Sequence, residues 1–175
     1  MPMFEFIRGG VDSASGVAFR LHRARFCLLI SKLPEPMVIR RSVSFAETVY
    51  RGEFTIQRTN SRLVNDIPSA IDTSSKEDIP VLIDPGSGSL IKLREHFHHN
   101  IQIILVDARI KKKPPEPLPD DVDMYIGLGP GFRAGSNFDA VIETNRSHNL
   151  GRIIWNEYVG GNPLPSRFTA SHLGN

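Results

Sequence analysis

Residues 4–30, FEFIRGGVDSASGVAFRLHRARFCLLI, constrain the fold more than any other stretch of this 175-residue chain. An apolar run leads into a glycine-rich turn, then into a segment with apolar residues at helical spacing, then into a second apolar run. Strand, tight turn, helix, strand is the unit from which parallel sheets grow, because a right-handed crossover lays the second strand beside the first. The helix is expected to begin near Asp12 or Ser13, either of which can accept from its free N–H groups. It turns Ala14, Val17, Ala18 and Leu21 toward the sheet. Arg20, Arg23 and Arg25 lie on its other face, where cations suit a helix C-terminus, and read as a solvated face.

The turn has the outline of a dinucleotide-binding fingerprint. In the pattern G-x-G-x-x-G/A the first glycine makes the tight turn, the second lets pyrophosphate approach the backbone, and the small third residue allows helix packing. Gly9 and Ala14 stand at the first and third places, with Val11 at the second. Where a dinucleotide enzyme usually has a carboxylate for the ribose hydroxyls, at the end of the second strand, this chain has Lys32. An adenosine ribose is poorly served there, and a 2′-phosphate is tolerated.

Further along, Pro34 and Pro36 bar a helix, and the next helix is expected from about Ser44 to Tyr50. EFTIQ reads as a strand, with RLV pairing to it as a hairpin around Thr59 to Ser61. Residues 65–78 form a short helix or a surface connection. IPVLIDP (79–85) is a buried strand ending at Asp84, followed by GSGS and a helix, LIKLREHF, that points Leu90, Leu93 and Phe97 inward. IQIILVDARI (101–110) is nearly continuous in Ile, Leu and Val, as expected of a parallel strand covered on both faces. KKKPPEPLPDD (111–121) is a Pro-rich exposed loop; DMYIGLGPGF, FDAVIETN and GRIIWN are three short strands; the tail from Val159 has no periodicity.

These elements predict a Rossmann-like α/β fold: a mostly parallel sheet with helices on both faces and a small β-rich C-terminal part. Residues 1–110 are the core, 111–121 the loop, 122–158 strands completing the same domain, and 159–175 an irregular tail. A net charge of +2 with a pI near 8.9 is too mild to imply nucleic acid or a membrane surface as partner. The single Cys27, inside FCLLI, is expected to be reduced and buried, and no disulfide is possible within the chain. The chain enters a strand within a few residues and has no apolar stretch of bilayer length, so a cytoplasmic location is expected.

In an open α/β sheet, ligands collect outside the carboxyl ends of the strands. The turn from Gly9 to Ser13, Lys32, Asp84, and Asp107 with Arg109 are therefore expected along one edge. Arg40 and Arg41 precede a capping box, Ser44 to Glu47, and serve either structural ion pairing or an anion site. Gly127, Gly129 and Gly131 allow a sharp turn beside the polar run ETNRSHNLGR, residues 143–152. Within that run, Thr144, Asn145 and His148 are candidates for contact with a ligand, and His148 is the candidate for proton transfer. No nucleophile motif accompanies it. His96, His98 and His99 point apart on a helix, with no Cys or second cluster to complete a site, so no metal is expected.

Taken in order, IRGGVDSASGVAFRLHRARF, PEPMVIRRSVSFAETVYRGE, IPVLIDP, VDARI, IGLGPGFRAG and VIETNRSHNLGRIIW resemble the selenium-dependent molybdenum hydroxylase accessory proteins, the YqeB family, over roughly residues 4–158. The resemblance implies a maturation role, with a molybdenum hydroxylase as partner. It points to Gly9, Gly10, Asp12, Ser15 and Gly16 in the turn, Arg40, Arg41 and Glu47, Asp107 and Arg109, Gly129 and Gly131, and Thr144, Asn145, His148 and Gly151. Val11, Lys32 and the missing C-terminal continuation depart from the pattern and imply a shortened or diverged member. The leading expectation is an accessory protein that binds a phosphate-bearing molecule: a nucleotide, NAD(P) or a molybdopterin dinucleotide. The alternatives are an NAD(P)-dependent oxidoreductase and a protein-interaction module without a small-molecule site; self-association into a homo-oligomer is also open.

Overall fold

A computed structural model of the chain describes residues 2–9, 12–36, 41–109, 122–136, 138–146 and 148–155, the side chain of Arg41 excepted. The described residues build one nine-stranded sheet. In chain order its elements are β1 (Met3–Arg8), α1 (Asp12–Arg23), β2 (Cys27–Lys32), two 3-10 turns (Arg41–Val43 and Phe45–Glu47), α2 (Thr48–Arg51), β3 (Glu53–Ile56), β4 (Thr59–Val64), α3 (Ile67–Ser75), β5 (Ile79–Ile83), α4 (Ser89–His96), β6 (Gln102–Asp107), β7 (Met124–Leu128), β8 (Ala140–Ile142) and β9 (Ile153–Trp155). Strand order is β3-β4-β5-β2-β1-β6-β7-β8-β9. The strands from β4 to β8 run parallel, and antiparallel hairpins close both edges. This is the Rossmann-like α/β architecture that the alternation of elements predicts.

Alternate residues of the central strands enter two cores. On one face Ile7, Leu28, Ile30, Val81 and Val106 meet Ala14 and Ala18 of α1 together with Phe45. On the other, Phe4, Phe6, Leu29 and Leu105 meet Ile67 and Ala70 of α3 and Leu90 and Leu93 of α4. Every residue of β6 is buried, which explains its unbroken apolar run. Helix α3, within the segment left open between helix and connection, starts where Asp66 accepts from the Ser69 N–H at 2.8 Å.

Three local expectations are corrected. The β3–β4 turn is at Gln57 and Arg58 rather than at Thr59 to Ser61, because Ile56 pairs directly with Thr59. The helix expected from Ser44 is a 3-10 turn followed by the single α turn of α2. Ser44 does cap it, accepting from Ala46 N–H, but Glu47 completes no capping box: its Oε1 accepts from Arg51 Nε at 2.9 Å. Cys27 is exposed, because it opens β2 beyond the end of α1 and only the residues after it are covered. The 111–121 loop and the tail from Val159 lie outside the described residues.

Glu5 interrupts the apolar pattern of β1. It is 4% exposed and pairs in register with Leu28 and Ile104, both members of the α1-side core. Burial raises its carboxyl from 4.5 to about 7. Between these values the folded chain holds a proton that the unfolded chain has released, so stability falls as pH rises through the window. Glu5→Gln is therefore expected to stabilise by up to about 3 kcal/mol above pH 7 and by nothing near pH 4, as read from urea unfolding across pH. A gain that does not change with pH would exclude this account.

Candidate functional site

Register aligns the strand ends. Leu82, Ser31, Arg8, Asp107, Gly127 and Val141 form one row across the sheet, just below its carboxyl edge. The turn after β1 is wedged into this edge. Gly9 donates its N–H to the Ser31 carbonyl at 3.2 Å, and the Ser13 hydroxyl donates to the Ala108 carbonyl at 3.3 Å. Gly9 has φ +152°, and a Cβ built there stands 3.1 Å from the Ala108 carbonyl carbon and 3.3 Å from Arg109 N. The fit against backbone leaves no room for a side chain.

Lys32 closes β2 on the side that faces α1, in phase with Leu28 and Ile30, and is 2% exposed. Its position at the carboxyl edge follows from the sequence; its complete burial does not. Among the described residues Nζ has no hydrogen-bond partner, and neither has the buried Oδ1 of Asp12, the first residue of α1. Burial lowers the lysine from 10.5 to about 7, and the Asp12 carboxylate offsets part of that effect. The positive end of the α1 dipole has the same sign as this ammonium, so both favour an anion at the start of the helix.

Several other candidates are tied into the scaffold. The Ser15 hydroxyl accepts from Phe45 N–H at 2.9 Å and lies 3.3 Å from the Ser44 hydroxyl, which fastens α1 to the 3-10 turn. Asp107, fully buried, holds Arg109 through Nε and Nη2 at 2.9 and 2.6 Å. The Asp84 carboxylate accepts from Gly88 N–H and Ser89 N–H at 3.1 and 3.0 Å and from the Ser89 hydroxyl, so it caps α4. Gly16 faces open space. Gly10, Val11 and Arg40 lie outside the described residues, as does the Arg41 side chain.

Gly129 and Gly131 have φ +86° and +102°, conformations that glycine adopts without steric penalty. Their turn folds Phe132 back over Gly127, where a Cβ would stand 2.6 Å from the ring's Cγ. Gly129 N–H donates to the Ile142 carbonyl at 2.9 Å and ties this turn to the end of β8. The run 143–152 is the β8–β9 hairpin loop, with Glu143 N–H bonded to the Arg152 carbonyl at 3.0 Å and Glu143 Oε1 accepting from Asn145 N–H at 2.6 Å. Thr144 is half-buried; Asn145 and His148 are exposed. Since β6 and β7 intervene, this loop stands about 14 Å from the β1 turn, three strand spacings along the same edge.

The groups gathered at the first turn are thus Gly9, Asp12, Ser13 and Lys32. Glu47 Oε2, on a 3-10 turn packed against α1, is also buried with no hydrogen-bond partner among the described residues. The Asp12 and Lys32 arrangement escapes the motif, though strand parity was a signal for it: Lys32 shares the face of Leu28 and Ile30, which α1 covers. Among the described residues no helix is long and apolar enough to cross a membrane.

No family model matches the chain, and no solved structure does. The chain is similar to the uncharacterized protein YqeB of Escherichia coli (strain K12), 39% identical over 149 residues. The alignment covers 85% of this chain and 26% of that protein, so the chain spans about a quarter of its relative's length.

Proposed function

We propose, from its similarity to YqeB, that the chain is a member of that family, acts as an accessory protein in the maturation of molybdenum hydroxylases and binds a phosphate-bearing nucleotide or pterin cofactor at the carboxyl edge of its sheet. The accessory role draws on the sequence resemblance. The phosphate reading draws on one observation: the Lys32 ammonium, buried beside Asp12 where α1 begins, with no hydrogen-bond partner among the described residues. The Asp12 carboxylate offsets only part of the cost of burying this cation, and a phosphate at the helix start relieves more of it through the low-dielectric interior even without direct contact. The α1 N–H groups and the close turn at Gly9 are the remaining elements of such a site.

An anion arriving there favours the charged lysine, so binding above pH 7 takes up a proton. Titration calorimetry with pyrophosphate at pH 8, in two buffers of different ionisation enthalpy, is expected to show uptake of up to one proton. Lys32→Met is expected to lose that uptake and at least tenfold in affinity. Equal affinity in the two proteins, or binding without proton exchange, would refute the phosphate reading. For the accessory role the readout is the activity of a molybdenum hydroxylase matured with and without this chain; unchanged activity rules it out.

A further inference from the structure

A concave site of different character lies at the opposite, amino edge of the sheet. The end of α1, the β3–β4 turn and the α3–β5 connection meet there around a cavity of about 390 Å³, a size typical of small-molecule sites. Among the described residues its lining includes Arg23, Arg25 and Arg58, with His22, Phe19 and one acidic residue, Glu77. These residues are far apart in sequence and converge only through the fold.

The negative end of the α1 dipole accounts for Arg23 and Arg25, which close or follow its last turn. It does not account for Arg58, which the β3–β4 hairpin brings to the same place. Arg25 pairs with Glu77, and Arg23 lies 5.7 Å from the centre of the Phe19 ring. Arg58 has no ion pair among the described residues. The cavity therefore has an excess of positive charge.

Backbone conformation at the β3–β4 turn is also unusual. Gln57 and Arg58 have φ +46° and +69°, whereas the positive φ of Arg25 and Glu77 is the ordinary left-handed close of α1 and α3. At the two central positions of a tight hairpin, glycine or asparagine ordinarily takes this conformation, and a longer side chain costs about 1 kcal/mol. Strain of this kind collects at ligand sites, where the side chain serves a purpose that glycine would not. His22 ties the end of α1 to the α3–β5 connection: its Nε2 lies 2.8 Å from the Glu77 carbonyl oxygen, which can only accept, so Nε2 donates.

We propose that this cavity binds a phosphate monoester of up to mononucleotide size, held at its phosphate by Arg23 and Arg58. Planar guanidinium groups match the oxygens of a phosphate dianion in paired hydrogen bonds, and Gln57 and Glu77 offer partners for hydroxyls on the ester's body. The site is independent of the one at the carboxyl edge.

The test is an amide chemical-shift titration with AMP, ribose 5-phosphate and inorganic phosphate. Both arginines are exposed, so the double variant Arg23→Ala/Arg58→Ala is expected to fold normally and to bind either ester at least tenfold more weakly than the natural chain. Lys92→Ala, which removes an exposed cation on α4, is expected to leave ester affinity within twofold. The proposal is overturned if neither ester binds, if affinity survives the double substitution, if the shifted amides lie away from residues 22–25, 57–59 and 77, or if inorganic phosphate binds as tightly as the esters.

Discussion

Lys32→Met is expected to leave the protein more stable than the natural chain at pH 6, by about 3–5 kcal/mol, while weakening its hold on phosphate. The gain follows from the site's geometry: an ammonium at 2% exposure, with no hydrogen-bond partner among the described residues, gives way to an unbranched apolar side chain of similar length. Its pH dependence identifies the cause. The folded lysine titrates near 7 and the unfolded one near 10.5, so within that window the unfolded state holds a proton that the folded state has released. Stability of the natural chain thus rises with pH from 7 to 10.5 and lacks this contribution below 7, where both states are charged. The advantage of Lys32→Met should be full at pH 6 and fade toward pH 10.5 in urea unfolding. An equal difference at pH 6 and pH 10, or a loss of stability at pH 6, would exclude burial of the charge as the cause. A residue that lowers stability in this way is one that function has reason to keep.

Gly9→Ala is expected to destabilise the fold by roughly 3 kcal/mol, combining backbone strain of about 1–3 kcal/mol at φ +152° with overpacking of similar size against the Ala108 backbone. Neither opposing wall is a flexible side chain, so the clash cannot be relieved by a rotamer change. Gly16→Ala, in the same motif, should be neutral or stabilising by up to about 1 kcal/mol, because that glycine faces open space in mid-helix. Thermal melts of the two variants give the contrast directly; equal melting temperatures would show that the turn relaxes around the added methyl group. Loss of ligand binding in a Gly9 variant consequently says nothing by itself about contact with the ligand, since the residue is needed to seat the turn between β2 and β6.

The elements most easily read from the sequence are those whose pattern is local. The strands of residues 79–83 and 102–107 show as short apolar runs, α1 as Ala14, Val17, Ala18 and Leu21 at helical spacing, and the parallel sheet as their alternation. Placement of Gly9, Asp12, Lys32 and Asp107 at one edge follows from chain direction alone. Less legible was what covers each residue. Cys27 lies in an apolar run yet emerges at the strand's start, whereas Lys32 lies at the strand's end yet disappears under α1. Ser15, Asp84 and Asp107 read as ligand groups, and the fold gives each a partner of its own. The hairpin register at Ile56 and Thr59 depends on β4 pairing with β5, a contact that β3 and its turn do not encode.

By itself, the sequence determined the order of strands and helices, their parallel assembly and the edge at which the first turn lies, because periodicity and turn chemistry act over a few residues. That Lys32 is buried near the partly covered Asp12, and that Arg23, Arg58 and Glu77 line one cavity at the other edge, emerges only once the chain has folded. The reason is physical: burial, desolvation and the meeting of charges are set by which distant segments pack together, and a side chain's charge state follows from its cover rather than from its neighbours in the chain.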